Sequence, residues 1–249
     1  MRNNESNSKY FRAIIFDLNG TVVEIYKISE YMKNLEAITE ALGLEKERFR
    51  RAWKYSWEEY PYGDYPSVEA RVKSAIHHYN EGGVIPPITA DAITKASNIR
   101  MEYIAGQQRK IREGVLEAFQ WALEMGYKLG MVSNCSIETA LAWKENPMAA
   151  YIPDPTFSCM VKIKKPDPEI FLNELNKLHV NDPERCVYIA DGDDKEFDTA
   201  TALGMEVVLV KYDLEDVFRH EPFPEIDTVL DSFSNFPTLI NELERRKKK

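Results

Sequence analysis

"AIIFDLNGTVVE", residues Ala13 to Glu24, decides how the rest of the chain is read. Its apolar run is too short for a helix and ends at the turn-forming pair Asn19-Gly20, so it reads as a buried strand. That strand delivers one carboxylate, Asp17, at its carboxyl end. Two residues later stands Asn19, an amide that neither gives nor takes a proton at neutral pH.

Beyond this strand the chain changes character. From about Lys27 to Ala105 it reads as helices with no strand. Ile28, Met32, Leu35, Ile38 and Leu42 recur at spacings of three and four, and Gly43 ends the pattern as a C′ glycine. Phe49, Ala52, Trp53, Trp57 and Tyr60 repeat it. A third helix starts at a Ser67 N-cap and runs into Gly82-Gly83; a fourth follows Pro86-Pro87 with Thr89 as its cap. Four amphipathic helices need a shared core, so residues 27–106 are expected to form a helical bundle.

After that segment helices and strands alternate. "VLEAFQWALEMG", "IETALAWKEN", "DPEIFLNELNKL" and "KEFDTATALG" read as helices; "YKLGMVSN", "TFSCMV", "CVYIAD" and "MEVVLV" read as strands. Such alternation implies a parallel sheet with right-handed crossovers. The fold expected is α/β, a Rossmann-like parallel sheet with helices on both faces. Residues 1–26 and 107–249 form this core, and the helical domain is inserted after its first strand.

Composition narrows the partners. The 249 residues carry a formal net charge of -9, which argues against a nucleic-acid polymer as partner. No apolar run reaches membrane-span length and the first residues lack the apolar core of a signal peptide, so no membrane partner and a cytoplasmic location are expected. The polar residues 1–9 and the terminal "RRKKK" read as mobile, solvated ends. Cys135, Cys159 and Cys186 show no paired spacing and read as small core residues. His77, His78, His179 and His220 have no metal-ligand spacing.

In an open parallel sheet, ligands bind beyond the carboxyl ends of the strands. Asp17, Ser133-Asn134 and Asp191 fall at such ends, and Lys165 lies in a loop that opens a helix. One carboxylate can attack phosphorus, and a second can join it around a hard cation such as Mg²⁺. A hydroxyl and loop amides can hold phosphoryl oxygens while an ammonium offsets developing charge.

These stretches, taken in order, resemble the four motifs of the haloacid dehalogenase (HAD) superfamily of hydrolases: "FDLNGTVV", "MVSNCS", "KKPDPEIF" and "IADGDDKEFDTATALGM". The helical insert sits where that family carries its cap. The resemblance implies a Mg²⁺-dependent phosphatase acting on a small phosphorylated metabolite. Asp17 would be the nucleophile, Lys165 the cation that orients it, and Gly20, Thr21, Ser133, Asn134 and Lys165 the substrate-binding set. Asp17, Asn19, Asp191 and Glu196 would serve the metal, Asn19 through its backbone carbonyl. Glu196 would hold a metal-bound water or Lys165. Asp193, Asp194 and Asp198 rank lower, as helix-start and surface charges.

Asn19 departs from the pattern, because the family's phosphatases carry an acid-base Asp there. The resemblance then implies catalysis that is impaired at this step. Three explanations stay open: other chemistry, a weak or retired enzyme, or an Asp-to-Asn change in this chain. The alternatives in function are a halide-releasing hydrolase or a ligand-binding protein without turnover. "EEYPYGDYPS", residues 58–67, is the first cap segment to search for substrate contacts, although packing of Tyr60, Tyr62 and Tyr65 within the bundle is the stronger expectation. Trp53, Trp57 and Trp121 are expected in cores, and His77-His78 on a surface. Oligomeric state is not legible.

Overall fold

The computed structural model describes residues 9–80, 87–219 and 222–248. Its strands are β1 (Ala13–Phe16), β2 (Lys128–Ser133), β3 (Thr156–Phe157), β4 (Cys186–Ala190), β5 (Glu206–Val210) and β6 (Val229–Leu230). They form one parallel sheet in the order β3-β2-β1-β4-β5-β6. Chain order departs from β1 in both directions, so β1 lies at the topological switch point where such sheets open a crevice.

Successive strand residues point to opposite faces, and both faces of β1 are buried. On one side Ile14 and Phe16 pack with Val115 and Phe119 of α5 (Val115–Glu124) and with Phe236 and Ile240 of α10 (Phe236–Lys247). On the other, Ala13 and Ile15 meet Ile170 and Phe171 of α8 (Pro168–Lys177) and Phe197 of α9 (Glu196–Ala202). Each such large side chain contributes about 1.5–3 kcal/mol by leaving water.

The insert has its own core. Leu35 and Ile38 of α1 (Ile28–Leu42), Phe49 and Trp53 of α2 (Lys46–Glu59), Val72 and Tyr79 of α3 (Val68–Asn80) and Ala96 of α4 (Ala90–Gln108) pack together. The expected ends hold. Gly43 is left-handed, Ser67 Oγ accepts the Ala70 N–H at 3.0 Å, and Thr89 Oγ1 accepts that of Ala92 at 3.2 Å. Helix α4 continues two residues past the expected domain boundary at 106. Residues 1–8, the break containing Gly82, Gly83 and Pro86, His220 and Lys249 lie outside the described residues.

Two expectations are corrected. "TFSCMV" is a strand only over Thr156–Phe157; Ser158–Val161 turn into the short helix α7. Ser158 anchors the turn: its Oγ accepts the N–H of Cys135, and its single proton goes to the Tyr62 carbonyl at 3.0 Å, with that of Cys135 at 3.2 Å. The basic tail is not frayed: Arg245–Lys247 are the last turn of α10, and Lys247 pairs with Glu206 at 2.9 Å. Neither β6 nor α10 was foreseen. The three cysteines are buried, as expected.

Candidate active site

Because β1, β2 and β4 run in parallel and in register, Phe16 lies beside Met131 and Ile189, and Asp17, Ser133 and Asp191 emerge together at one rim. All three are buried. The amide of Asp17 donates to the Ile189 carbonyl at 3.0 Å, which fixes the first residue of the loop to the neighbouring strand. Gly20 is left-handed, and a Cβ there would come within 2.7 Å of an Asp191 carboxylate oxygen. Glycine is therefore what lets the β1 loop approach Asp191.

Lys165, just before α8, reaches into this rim. Its ammonium donates to Asp17 Oδ1 at 2.6 Å and to Glu196 Oε2 at 2.5 Å, and all three side chains are almost wholly buried. Thr21 Oγ1 donates to the other Asp17 oxygen at 3.3 Å. Asn134 holds the Lys165 backbone from both sides: it accepts the Lys165 N–H at 2.8 Å and donates to its carbonyl at 3.1 Å. Asn134 also donates to Asp194 at 2.8 Å.

Electrostatics follow from burial and crowding. Burial pushes the Asp17 carboxyl up; Lys165 opposes the shift and Asp191 adds to it. Burial also raises Glu196, again against Lys165. Burial disfavours the Lys165 ammonium, yet Asp17 and Glu196 on either side hold it well above its usual value.

Of the two tasks expected of Glu196, the structure forms the hold on Lys165. Its oxygens accept from Lys165, the Tyr188 hydroxyl and the Gly192 N–H. Asp191 has partners that sequence reasoning missed. Its Oδ2 accepts from Tyr212 at 2.8 Å and from Arg219 at 3.2 Å, while Arg219 also donates to its backbone carbonyl. Its Oδ1 receives one long bond, from Asp193 N at 3.2 Å.

No three His, Cys, Asp or Glu side chains among the described residues cluster as a metal cage. Two carboxylates, Asp17 and Asp191, remain beside Asn19, whose Oδ1 is buried without a hydrogen-bond partner. Sparse oxygen donors fit Mg²⁺, which keeps several waters and takes one or two carboxylates plus phosphate oxygens.

Above the rim a cavity of about 710 Å³ runs from Asn19 and Asn134 up between the helices α1–α4 and the sheet. Trp57, expected in a core, instead lies 38% exposed on its wall, while Trp53, on the same wall, is buried. Tyr60, Tyr62 and Tyr65 do not line it. Tyr65 is buried, its hydroxyl donating to the Ser56 carbonyl, and the Tyr60 and Tyr65 rings pack at 4.4 Å. Their loop docks on the core, with Gly63 O accepting from Ile137 N and Tyr62 O from Ser158 Oγ.

A second constellation was not legible. Arg71 and Arg100, from the helical domain, both donate to Glu138 Oε1 of α6 (Ile137–Trp143), at 2.5 and 3.1 Å. The segment after β5 also crosses between domains. Asp216 accepts the Ser29 N–H at the start of α1, Phe218 packs on Tyr31 at the cavity, and Arg219 grips Asp191.

Comparison with known proteins agrees with this arrangement. A glyceraldehyde 3-phosphate phosphatase of Methanopyrus kandleri is 24% identical over 203 residues, covering 80% of this chain and 84% of that one. Among solved structures, a 2-haloacid dehalogenase from Pseudomonas syringae pv. Tomato DC3000 superposes with a TM-score of 0.65 at 17% identity, over 94% of this chain and 99% of that one. CbbY from Rhodobacter sphaeroides in complex with phosphate gives 0.54 at 22%, over 93% and 99%. These two likenesses speak for the fold. The family model described as haloacid dehalogenase-like hydrolase matches residues 11–204, and the chain belongs to that family.

Proposed function

We propose that the protein is a Mg²⁺-dependent phosphatase of small phosphate monoesters, working through Asp17 and slowed by Asn19. The observation that carries this reading is the buried bond between Lys165 and Asp17 at the switch point of the sheet. The similarity to a phosphatase along most of the chain supports it.

In this reading an oxygen of Asp17 attacks phosphorus, the phosphorus–ester oxygen bond breaks, and an aspartyl phosphate forms. Thr21 and Lys165 hold the carboxylate in one orientation, and the Lys165 ammonium offsets charge growing on the phosphoryl oxygens. Ser133 and the amides of Thr21 and Asn134 are the donors for those oxygens; the Gly20 N–H, expected among them, is instead spent on the Val23 carbonyl at 3.0 Å. Asp17, Asp191 and the Asn19 backbone carbonyl would hold Mg²⁺, which supplies further charge stabilisation when bound. Glu196 acts on Lys165.

The departing alkoxide needs a proton, and the water that later attacks the aspartyl phosphate must lose one. Asn19, two residues after the nucleophile, lines the cavity but has no acidic proton to move. Solvent must then serve both transfers. Acid-base help of this kind is worth roughly 10²- to 10⁴-fold. Asn19→Asp is expected to raise turnover of phosphate esters by about that factor. Turnover unchanged by the substitution would remove the role given to position 19. Halide release without Mg²⁺ would replace the phosphatase reading with the dehalogenase one.

A further inference from the structure

The cavity above the rim has a charge on its wall that phosphate chemistry does not use. Arg71 and Arg100 line it, each with a side chain only 4% exposed, and they share a single carboxylate oxygen of Glu138. The Glu138 carboxyl, itself buried, is held at about 2: burial works to raise it, and the two guanidiniums more than outweigh that. Two fixed positive charges thus face one negative charge; the Arg71 Nε–H has no acceptor and Glu138 Oε2 no donor, while Arg71 also donates to Ser136 and Arg100 to Asn34. A buried charge without a counterpart is costly, and a ligand that supplies the missing anion is favoured there. More cations than anions line the rest of the wall, where Arg50, Arg51 and Lys54 are exposed beside one carboxylate, Glu58.

Size points the same way. A cavity of about 710 Å³ lies well within the span of sites that bury drug-sized ligands, and a three-carbon phosphate would leave most of it unfilled. Its aromatic wall includes Trp57 and Phe218, whose partial exposure leaves ring surface open to a ligand.

We infer that the leaving group of the substrate is bulky and flat and carries a second negative charge, received by Arg71 and Arg100. This rests on the phosphatase reading, because it takes the phosphate to sit at Asp17. Arg71 and Arg100 are then specificity residues, and Trp57 is the surface on which the flat part lies.

Two esters that differ only in the distal charge test the inference: 2-naphthyl phosphate and 6-carboxy-2-naphthyl phosphate, with glyceraldehyde 3-phosphate as the small control. The Asn19→Asp form with Mg²⁺ is expected to show kcat/KM at least tenfold higher for the carboxylated ester than for either other compound. Calorimetry on the unsubstituted protein should give the carboxylated ester a Kd at least tenfold below that of its neutral counterpart. Arg71→Gln should shrink that ratio to within about threefold. As that variant disturbs a buried ion pair, Trp57→Ala, at an exposed position, provides a second check and should raise Kd for both naphthyl esters. Equal Kd for the two naphthyl esters, or preference for glyceraldehyde 3-phosphate, overturns the inference and leaves the phosphatase reading standing. If none of the three esters is hydrolysed the phosphatase reading falls, and the ratio of Kd values still decides whether the arginine wall receives an anion.

Discussion

Lys165 stands between Asp17 and Glu196, two buried carboxylates, and its charge offsets the cost of burying both. Lys165→Met keeps much of the stem and removes the ammonium. The two carboxylates are left to repel each other in a low-dielectric rim, a loss of about 3–5 kcal/mol typical of a broken buried pair. Urea denaturation should show that loss, and phosphate-ester turnover should vanish with it. Most of this site was legible because each residue sits at a fixed place in a local pattern, after a strand or before a helix. Arg219 was not. Its partner Asp191 is 28 residues away, and nothing near "FRH" marks one arginine as aimed at a carboxylate.

Among the elements, β3 shows how a tertiary contact overrides a strand-like run. Since β3 begins only at Thr156, opposite Val132, the Met131 N–H of β2 has no β3 partner and donates to Glu174 Oε1 at 3.0 Å, while Thr156 donates to Oε2 at 2.6 Å. Gly130 makes room, because a Cβ there would lie 2.5 Å from that carboxylate. Burial lifts Glu174 from 4.5 to about 7. Between those values the folded chain keeps a proton that the unfolded chain has released, so stability falls as pH rises through this window and levels off above it. Glu174→Gln removes the titration. Across the window the unsubstituted protein should lose up to about 3 kcal/mol more than the variant, read from denaturation midpoints at a series of pH values. Helix ends were legible for the opposite reason: Ser67, Thr89 and Gly43 act on their own neighbours, as caps do.

For the molecule as a whole, the α/β alternation and the inserted bundle were readable from periodicity, but the way the two domains meet was not. Glu138 is separated by 67 residues from Arg71 and by 38 from Arg100, and each of the three looks like an ordinary helix charge in its own segment. Together they tie the bundle to the sheet. Glu138→Gln strands two buried guanidiniums and should cost about 3 kcal/mol or more. In a domain of this size that lowers Tm by roughly 6–12 °C, measurable by calorimetry. The loss should come with faster proteolysis at the seam between the domains.

The segment after β5 ties that same seam from the other end of the chain. Asp216 and Arg219 are three positions apart, yet one fastens the entry to the bundle and the other a carboxylate at the sheet rim. With both bonds made, the length of this stretch works as a ruler between the start of α1 and the rim of the sheet. Removing one residue from it should leave the core folded, by circular dichroism, while weakening Mg²⁺ binding and raising KM together. Insertions here are a fault the fold is poorly able to absorb, although the segment lies on a surface loop where length changes are usually tolerated.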